Sequence, residues 1–394
     1  MQNRETKTFR VAVFGTGFIG RVHVEAVRRL GNVEVVAVAA SDDAKARRFA
    51  DEVHVPNSTG DYREILADPQ LDAVHICTPN WLHFPMAKAA MEAGKHVLCE
   101  KPLAMNSREG AELVRLAEER KIVNCTLYNM RYYPQVQNMR RLREAAELGD
   151  IHTVQGTYSQ DWLLFDTDYS WRIEGKANGP SRTFADIGTH WCDMVEHVTG
   201  LRITSLCADL STFHKTRRKP AGSIETFAAG PGETFAAGSG TPDQAREIAI
   251  DTEDFGAVLL RLGDRARGAM TVSQIATGRK NRLFLEVFGT KGSFAWDQER
   301  PDELWIGRRS SMNSLAPKDP SLMSEKARSS ADLPAGLSEG YDDTFKQVFR
   351  GFYRTLADRS APIEYPTFAD GLRQLRIIEA VLESAESEAW REVG

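Results

Sequence analysis

The stretch FRVAVFGTGFIG, residues 9–20, decides the fold of the first part of this 394-residue chain. Its first six residues read as a buried strand, and a helix with apolar residues at three- to four-residue spacing follows the glycines. Gly15 makes a tight turn, Gly17 lets the backbone approach a pyrophosphate, and Gly20 allows close packing of helix on strand. An ordinary glycine-rich turn is the alternative. The strand before and the helix after favour dinucleotide binding.

Further along the chain, apolar strands alternate with helices until about residue 128 and then give way to longer alternating strands. The predicted strands of the first part lie at 9–14, 33–39, 73–78, 96–99 and 122–128, and those of the second at 151–161, 203–213, 255–262, 268–275 and 283–296. Strands separated by helices predict a parallel sheet covered on both faces, and alternating strands predict an antiparallel one. We therefore expect an α/β chain with two domains. Residues 1–128 form a doubly wound, Rossmann-type domain, and residues 129–394 form an α+β domain with a large, mostly antiparallel sheet.

Two segments of biased composition interrupt the second domain. Residues 218–246 are rich in Gly, Ala, Pro and Thr and repeat ETFAAG twice, which indicates an inserted surface loop. Residues 309–335, rich in Ser, Lys and Pro, read as a second loop. The chain then ends on an amphipathic helix from residue 369 to about 390.

The composition excludes several classes of protein. Fifty basic and 55 acidic side chains give a net charge of −5, without the basic stripe that binding duplex nucleic acid requires. No apolar run reaches the roughly 18–20 residues that span a bilayer, and no export signal is evident, so we expect a cytoplasmic protein without membrane or nucleic-acid partners. The five cysteines form no CxxC pair, which argues against a zinc site built on cysteine.

The residues after the second strand bear on the cofactor. NAD-binding proteins place an acid here for the ribose 2′-OH, but this chain has Ala40 and Ser41, followed by Lys45. A hydroxyl and a cation suit a 2′-phosphate, so NADP is slightly favoured over NAD. Asp42 and Asp43 leave the preference open, because a shift of two residues restores an acid.

Two polar motifs follow later strands of the first domain: CTPN at residues 77–80 and EKP at residues 100–102. Ligands of open α/β sheets bind outside the carboxyl ends of the strands, so both motifs face the cofactor. Lys101 is placed to stabilise the oxyanion of a substrate hydroxyl. A surface lysine paired with Glu100 is the plainer alternative.

The segment FADIGTHWCDM, residues 184–194, carries an acid and a histidine four residues apart. On a helix Asp186 and His190 share one face, which Asp193 and His197 continue. His190 can accept a proton from an alcohol, and Asp186 can orient a substrate hydroxyl or raise the basicity of the histidine. Two alternatives stay open: a hydrogen-bonded core histidine, and a divalent-metal site on this face.

Together, AVFGTGFIG, ICTPNWLH, EAGKHVLCEKPLA and FADIGTHWCDM resemble the Gfo/Idh/MocA oxidoreductases. The resemblance implies a Rossmann domain followed by an α+β domain whose open sheet supports homodimers or homotetramers. It implies that Lys101 is catalytic or orients the substrate, that the Lys101–Pro102 bond is cis, and that Asp186 and His190 complete the catalytic set. No metal is expected. The predicted cofactor-binding residues are Gly15, Gly17, Phe18, Ile19, Gly20, Ser41, Lys45, Thr78, Pro79, Asn80, His83, Glu100, Lys101 and Asn129.

Aromatic, amide and charged residues near the start of the second domain predict a sugar-binding surface. The candidates are Arg131, Tyr133, Gln160, Asp161, Trp162, Trp171 and Arg172; the two tryptophans are equally readable as core residues. The run GTYSQDW followed by SWR is similar to the levoglucosan dehydrogenase-like branch of the family, whose members use NAD, although the expected acid is missing at Ala40.

We therefore expect an NAD(P)-dependent oxidoreductase that moves a hydride between the nicotinamide and a ring secondary alcohol of a sugar, anhydrosugar or inositol. Levoglucosan-like 3-dehydrogenation is the leading hypothesis. One alternative is a glycoside hydrolase that retains its cofactor and works through a 3-keto sugar. The other is a non-catalytic nucleotide-binding sensor.

Overall fold

The computed structural model describes residues 7–220 and 245–394. Contacts divide the chain into two compact units, the first comprising Met1–Asn129 with Phe345–Leu375 and the second Met130–Thr344 with Arg376–Gly394. The sequence-based division after residue 128 lies one residue from the point at which the chain first passes from the first unit to the second, after Asn129. The assignment of residues 345–375 to the first unit was not predicted, because an amphipathic pattern does not reveal which sheet a helix covers.

The first unit is built on a six-stranded sheet in which every pair of neighbouring strands is parallel. Its strands are β1 Phe9–Phe14, β2 Val33–Ala39, β3 Asn57–Thr59, β4 Ala73–Ile76, β5 His96–Cys99 and β6 Asn124–Thr126. Its connecting helices are α1 Phe18–Arg28, α2 Asp43–Glu52, α3 Tyr62–Leu66, α4 His83–Glu92 and α5 Ser107–Glu119. The order β3-β2-β1-β4-β5-β6 reverses direction between β1 and β4, where doubly wound sheets bind their ligands. The predicted fold class of this part is confirmed.

The second unit contains a nine-stranded sheet whose neighbours are antiparallel except for one parallel pair, β7 with β12. The strands follow in chain order: β7 Ile151–Ser159, β8 Ile203–Ser211, β9 Thr216–Lys219, β10 Arg246–Ala249, β11 Phe255–Leu262, β12 Ala266–Ser273, β13 Arg282–Gly289, β14 Ser293–Asp297, β15 Glu303–Gly307, β16 Ser314–Pro317 and β17 Arg391–Glu392. The sheet order is β16-β15-β14-β13-β7-β12-β11-β8-β17, and β9 pairs with β10 separately. The predicted mostly antiparallel sheet is confirmed. In the turn between β13 and β14, Gly289 N–H donates to Gly292 O.

The remaining helices are α6 Pro134–Glu144, α7 Gly175–Asn178, α8 Thr189–Thr199, α9 Glu325–Arg328, α10 Tyr341–Ala357 and α11 Phe368–Ser387. They include three that were not predicted, α7, α9 and α10. A π-helical turn, Phe184–Gly188, leads directly into α8. The prediction of one regular α-helical face from Asp186 onward is therefore wrong in its first turn. In the described ranges no helix is long and apolar enough to cross a membrane.

The two predicted loops have different outcomes. Residues 309–335 are not a plain loop, because they contain β16, which pairs with β15, and α9. A buried lysine orders this segment: Lys318 Nζ donates to Glu339 Oε2 at 2.7 Å and to Leu337 O at 2.6 Å. Of the predicted 218–246 loop, residues 221–244 lie outside the described residues, and its flanks form the β9–β10 hairpin.

Candidate active site

The glycine turn after β1 has the geometry of a phosphate-binding loop. Gly15 has φ +105°, and a Cβ there would lie 2.5 Å from Cys77 O at the end of β4. A Cβ on Gly20 would collide with Gly15 O. Around Gly17, in contrast, no heavy atom lies within 4 Å of the position a Cβ would take. The first and last glycines are thus required by the packing of the turn, whereas Gly17 leaves open space beside the backbone.

The start of α1 fits a phosphate electrostatically. Gly17 is its N-cap, no side chain caps the first N–H groups, and the first turn holds no acidic residue. The Thr16 hydroxyl is buried there without a hydrogen-bond partner among the described residues. Uncapped N–H groups and the positive end of the helix dipole favour an anion at this point. These residues fit a dinucleotide pyrophosphate.

Both acids that follow β2 are engaged by the backbone. Asp42 caps α2 by accepting from Lys45 N–H at 2.8 Å, and this bond is the main cause that lowers the pKa of Asp42. Asp43 Oδ1 accepts from Gly60 N–H at 2.5 Å. Ser41 Oγ lies 3.2 Å from Asp42 Oδ2. The residue directly after the strand is Ala40, so no carboxylate stands at the strand end itself.

His83 links the loops that follow β4 and β5. Its Nε2 lies 2.8 Å from Thr78 O and its Nδ1 lies 2.7 Å from Pro102 O. Burial lowers the pKa of His83, so the ring is neutral at physiological pH and donates to only one of these carbonyl oxygens at a time. The Lys101–Pro102 bond, next to the second of these contacts, is cis, as the resemblance implied. His83 thereby helps to fix the loop that carries Lys101.

A buried chain of hydrogen bonds ends on Glu100. Tyr353 OH lies 2.6 Å from His75 Nε2, the Nδ1 atoms of His75 and His23 are 3.0 Å apart, and His23 Nε2 lies 3.2 Å from Glu100 Oε1. Burial, and to a lesser extent His23, lowers the pKa of His75 well below its ordinary value. Glu100 Oε2 accepts from Lys101 N–H at 3.2 Å. The carboxylate behind Lys101 is therefore held on both oxygens.

In the second unit, Asp186 is held through both carboxylate oxygens. Gln274 Nε2 donates to Asp186 Oδ2 at 2.9 Å, and Arg172 Nε lies 3.6 Å from Oδ1. His190, one turn further on, is 5% exposed, and its ring centre lies 6.4 Å from that of Tyr158 on β7. Acid, amide and guanidinium thus meet around Asp186, and the His190 imidazole follows one turn later beside Tyr158. The cluster can accept a proton and orient hydroxyl groups.

Two of the predicted sugar-binding residues after β7 belong to a network of side-chain hydrogen bonds. Trp162 Nε1 donates to Gln160 Oε1 at 2.7 Å, and Gln160 Nε2 donates to Asn281 Oδ1 at 2.8 Å. Tyr158 OH donates to the same Asn281 oxygen. Asp161 points elsewhere and accepts from Lys280 and from the Gly278 N–H. The stacking of Arg172 on Trp171, 4.5 Å from the ring centre, places the other two candidates together.

Arg131 and Tyr133 have buried contacts that the sequence did not predict. Arg131 makes a two-pronged ion pair with Asp193 of α8, through Nε to Oδ2 at 2.6 Å and through Nη2 to Oδ1. Tyr133 is 3% exposed and packs on Trp296, with ring centres 5.1 Å apart. Burial raises the pKa of Tyr133. Their role in substrate binding stays a prediction.

Comparison with known proteins gives the same assignment for both units. Residues 9–128 match the sequence model of an oxidoreductase family with an NAD-binding Rossmann fold, and residues 136–295 match the GFO/IDH/MocA C-terminal domain. Levoglucosan dehydrogenase of Pseudarthrobacter phenanthrenivorans is 31% identical over 98% of both chains. The chain belongs to the Gfo/Idh/MocA family of oxidoreductases.

Two further comparisons support this Gfo/Idh/MocA assignment. A levoglucosan dehydrogenase structure in complex with NADH and levoglucosan has a TM-score of 0.86 and 28% identity, covering 98% of this chain and all of the other. The myo-inositol 2-dehydrogenase of Thermotoga maritima is 26% identical over 74% of this chain and 76% of its own. The predictions of family, fold class and oxidoreductase activity are confirmed.

Within each unit of this Gfo/Idh/MocA protein the predicted site residues converge only in part. The glycine turn, His83 and Glu100 all lie at the carboxyl edge of the first sheet, and Asp186 and Arg172 meet in the second unit. Asp193 and His197 were predicted on the same face as Asp186, but each has another partner. Asp193 pairs with Arg131, and the Nε2 atom of His197 lies 3.1 Å from Gln137 Nε2. Among residues 7–220 and 245–394, no group of three or more His, Cys, Asp or Glu is arranged to hold a metal ion.

Sequence reasoning missed several residues of the site. His75 left a signal, because a histidine inside the apolar strand AVHI needs a buried partner. Gln274 and Asn281 left none, since single amides after a strand are common and their partners are distant in sequence.

Proposed function

We propose that the protein oxidises a ring secondary alcohol of a sugar, anhydrosugar or inositol to a ketone, reversibly, with a nicotinamide dinucleotide as hydride acceptor. The leading substrate class is a levoglucosan-like anhydrosugar that is oxidised at carbon 3. When bound, the dinucleotide supplies the hydride acceptor at the nicotinamide ring. Its pyrophosphate is held by Gly15, Gly17 and the uncapped start of α1.

The protein's own residues supply the acid–base chemistry. Lys101, which follows β5, stabilises the alkoxide-like oxygen that develops as the C–H bond breaks. His190 takes the hydroxyl proton, because imidazole is the commonest general base in proteins. Asp186 accepts a hydrogen bond from a neighbouring ring hydroxyl and so orients the sugar. One proton and one hydride leave the substrate, which balances a two-electron oxidation.

The observation that carries the proposal is the pairing of the open glycine turn with Lys101 at the carboxyl edge of one parallel sheet. The similarity to levoglucosan dehydrogenase over 98% of the chain supports the substrate class. The pair Asp186 and His190 argues against a sensor, which needs neither group.

The test is an assay of NAD and NADP reduction with a panel of anhydrosugars, hexoses, pentoses and inositols. We expect turnover with a cyclic polyol, and a loss of about 100- to 1000-fold in kcat for Lys101→Ala without loss of cofactor binding. Lys326→Ala, an exposed lysine of α9, is the matched control. Near-native turnover of Lys101→Ala would contradict the role given to that lysine.

Other outcomes of the same assay identify the alternatives. Release of free sugar from glycosides without net cofactor reduction would indicate the hydrolase that retains its cofactor. Tight cofactor binding without turnover of any compound would indicate a sensor.

We propose further that the cofactor is NAD or NADP, with NADP slightly favoured. Asp42 and Asp43 are engaged by backbone N–H groups, whereas Ser41 and Lys45 follow a strand that ends without an acid. Ala40→Asp should shift the ratio of kcat/KM values toward NAD by tenfold or more, since a carboxylate repels a 2′-phosphate and binds a 2′-OH. An unchanged ratio would contradict this assignment.

We propose that the protein works in the cytoplasm as a homodimer or homotetramer. No disulfide joins any of the five cysteines, all of which lie in the described part of the chain, and this suits a reducing compartment. One face of the nine-stranded sheet carries a shallow apolar depression of about 560 Å³, and Leu259 on that face is 54% exposed. Light scattering of the wild type and of Leu259→Asp tests the assembly: dissociation of the variant supports it, and a monomeric wild type contradicts it.

A further inference from the structure

Gln274 is the residue from which the new inference starts. It follows β12 directly and is fully buried, and nothing in its sequence context marks it as functional. Its Nε2 donates to Asp186 Oδ2 at 2.9 Å, and its Oε1 accepts from the Thr183 hydroxyl at 3.2 Å. The Thr183 hydroxyl also donates to Glu253 O, at 2.6 Å. A carboxylate accepts only N–H or O–H groups, so the contact with Asp186 determines this orientation of the amide.

The backbones of Gln274 and Asp186 are fixed to a common anchor, Asp254. Gln274 N–H donates to Asp254 O at 3.1 Å. The Asp254 carboxylate binds the Arg182 guanidinium, and Asp186 N–H donates to Arg182 O at 2.8 Å. Arg217 Nη2 donates to the same carboxylate at 3.0 Å. Because these charged groups are fully buried, the relative position of the amide and the carboxylate is set by the fold.

We infer that Gln274 is a positioning residue that holds Asp186 as an ionised hydrogen-bond acceptor and aims it at a substrate hydroxyl. Asp186 therefore selects substrates that present a hydroxyl as donor at that place, and rejects deoxy analogues. This inference rests on the proposed function for its catalytic consequence, although the amide–carboxylate contact itself does not.

Gln274→Glu is the sharpest perturbation, because it keeps the size of the side chain and replaces an N–H donor by a second carboxyl. Two carboxyl groups in contact cannot both ionise readily, so the pair shares a proton and its apparent pKa rises. Arg172 and Tyr158 also face Asp186, and neither is altered in this variant.

The first readout is the pH profile of kcat/KM. We expect the acidic limb of Gln274→Glu to move upward by about one pH unit or more. Gln274→Ala should lose about 10- to 100-fold in kcat/KM, as misplaced reacting groups do. Thr183→Val, which removes the hydroxyl donor shared by the amide oxygen and Glu253 O, should show a smaller loss in the same direction. An acidic limb that stays in place, in a folded Gln274→Glu protein, would overturn the inference.

The second readout does not need turnover. Infrared difference spectra during pH titration report the Asp186 carboxylate, assigned by its loss in Asp186→Asn. The titration midpoint should rise in Gln274→Glu even if no compound in the panel is oxidised, and an unchanged midpoint overturns the contact. A shifted midpoint with a wholly inactive wild type would instead contradict the proposed function.

A matched control separates these effects from the cost of burying a carboxyl group. Gln135 is also fully buried, but its Nε2 donates only to the main-chain oxygens of Asp302 and Ala316. Gln135→Glu should therefore lower the melting temperature without moving the acidic limb. If both variants move the limb equally, Gln274 has no special relation to Asp186.

Discussion

The Arg131–Asp193 ion pair allows a substrate contact to be distinguished from a structural one. Asp193 lies on α8 with its side chain 2% exposed, and the Arg131 side chain is 10% exposed. Arg131→Met keeps most of the aliphatic packing and removes the charge. Because the variant removes the guanidinium that pairs with the buried Asp193 carboxylate, we expect the free energy of unfolding to fall by about 3–5 kcal/mol.

For a unit of this size, 1 kcal/mol corresponds to about 2–4 °C in melting temperature, so the expected drop is about 6–20 °C. Calorimetry measures it, and KM is determined in parallel at a temperature where the variant is folded. Arg131→Met combined with Asp193→Leu should recover most of the loss, because no charge then remains unpaired. A drop below about 2 °C with a tenfold higher KM would refute the structural reasoning and favour a substrate contact.

Three other perturbations test separate parts of the molecule. Gly17→Ala should leave the melting temperature unchanged yet weaken nucleotide binding tenfold or more in a fluorescence titration. Gly20→Ala should in addition destabilise the protein by about 1–3 kcal/mol, because its Cβ collides with the turn. Equal melting temperatures for the two variants would contradict the geometry. Lys318→Met should cost about 3–5 kcal/mol in urea unfolding because Glu339 stays buried and charged, and a loss below about 1 kcal/mol would show that the pair is dispensable. Burial, and to a lesser extent Arg359, lowers the pKa of His96 to about 4. Between about pH 6.5 and 4 the unfolded chain therefore binds a proton at His96 that the folded protein does not, and the stability falls as the pH drops through this range. His96→Asn should flatten this part of the urea-midpoint curve, and an unchanged slope would exclude His96 as a source.

The sequence was most informative where the signal was local. The strand and glycine turn of residues 9–20, and the predicted ends of β2, β5 and β11, follow from apolar periodicity and turn chemistry over a few residues. The π-helical turn around Asp186 was not predictable, since its pattern of apolar residues does not differ enough from that of an α-helix.

Contacts between distant residues account for most of what was missed. Lys318 orders a segment whose composition is that of a loop, because its ammonium group finds acceptors up to Glu339. Gln274 reaches Asp186 across 88 residues of sequence. Such pairs depend on the folded topology, which local patterns do not encode.

The hydrogen-bond chain from Tyr353 to Glu100 has a consequence for how the first unit responds to change. If Glu100 is ionised and His23 is neutral, His23 donates to Glu100 through Nε2. His23 Nδ1 is then an acceptor, His75 Nδ1 a donor and His75 Nε2 the acceptor of the tyrosine proton. In that state each proton of the chain has one position, and every hydrogen bond is donated in the direction of Glu100 and the loop that carries Lys101. Tyr353 lies on a helix distant in sequence. Removing its hydroxyl would remove the donor that fixes the proton positions of His75 and His23, and Glu100 would be affected through the hydrogen bonds alone.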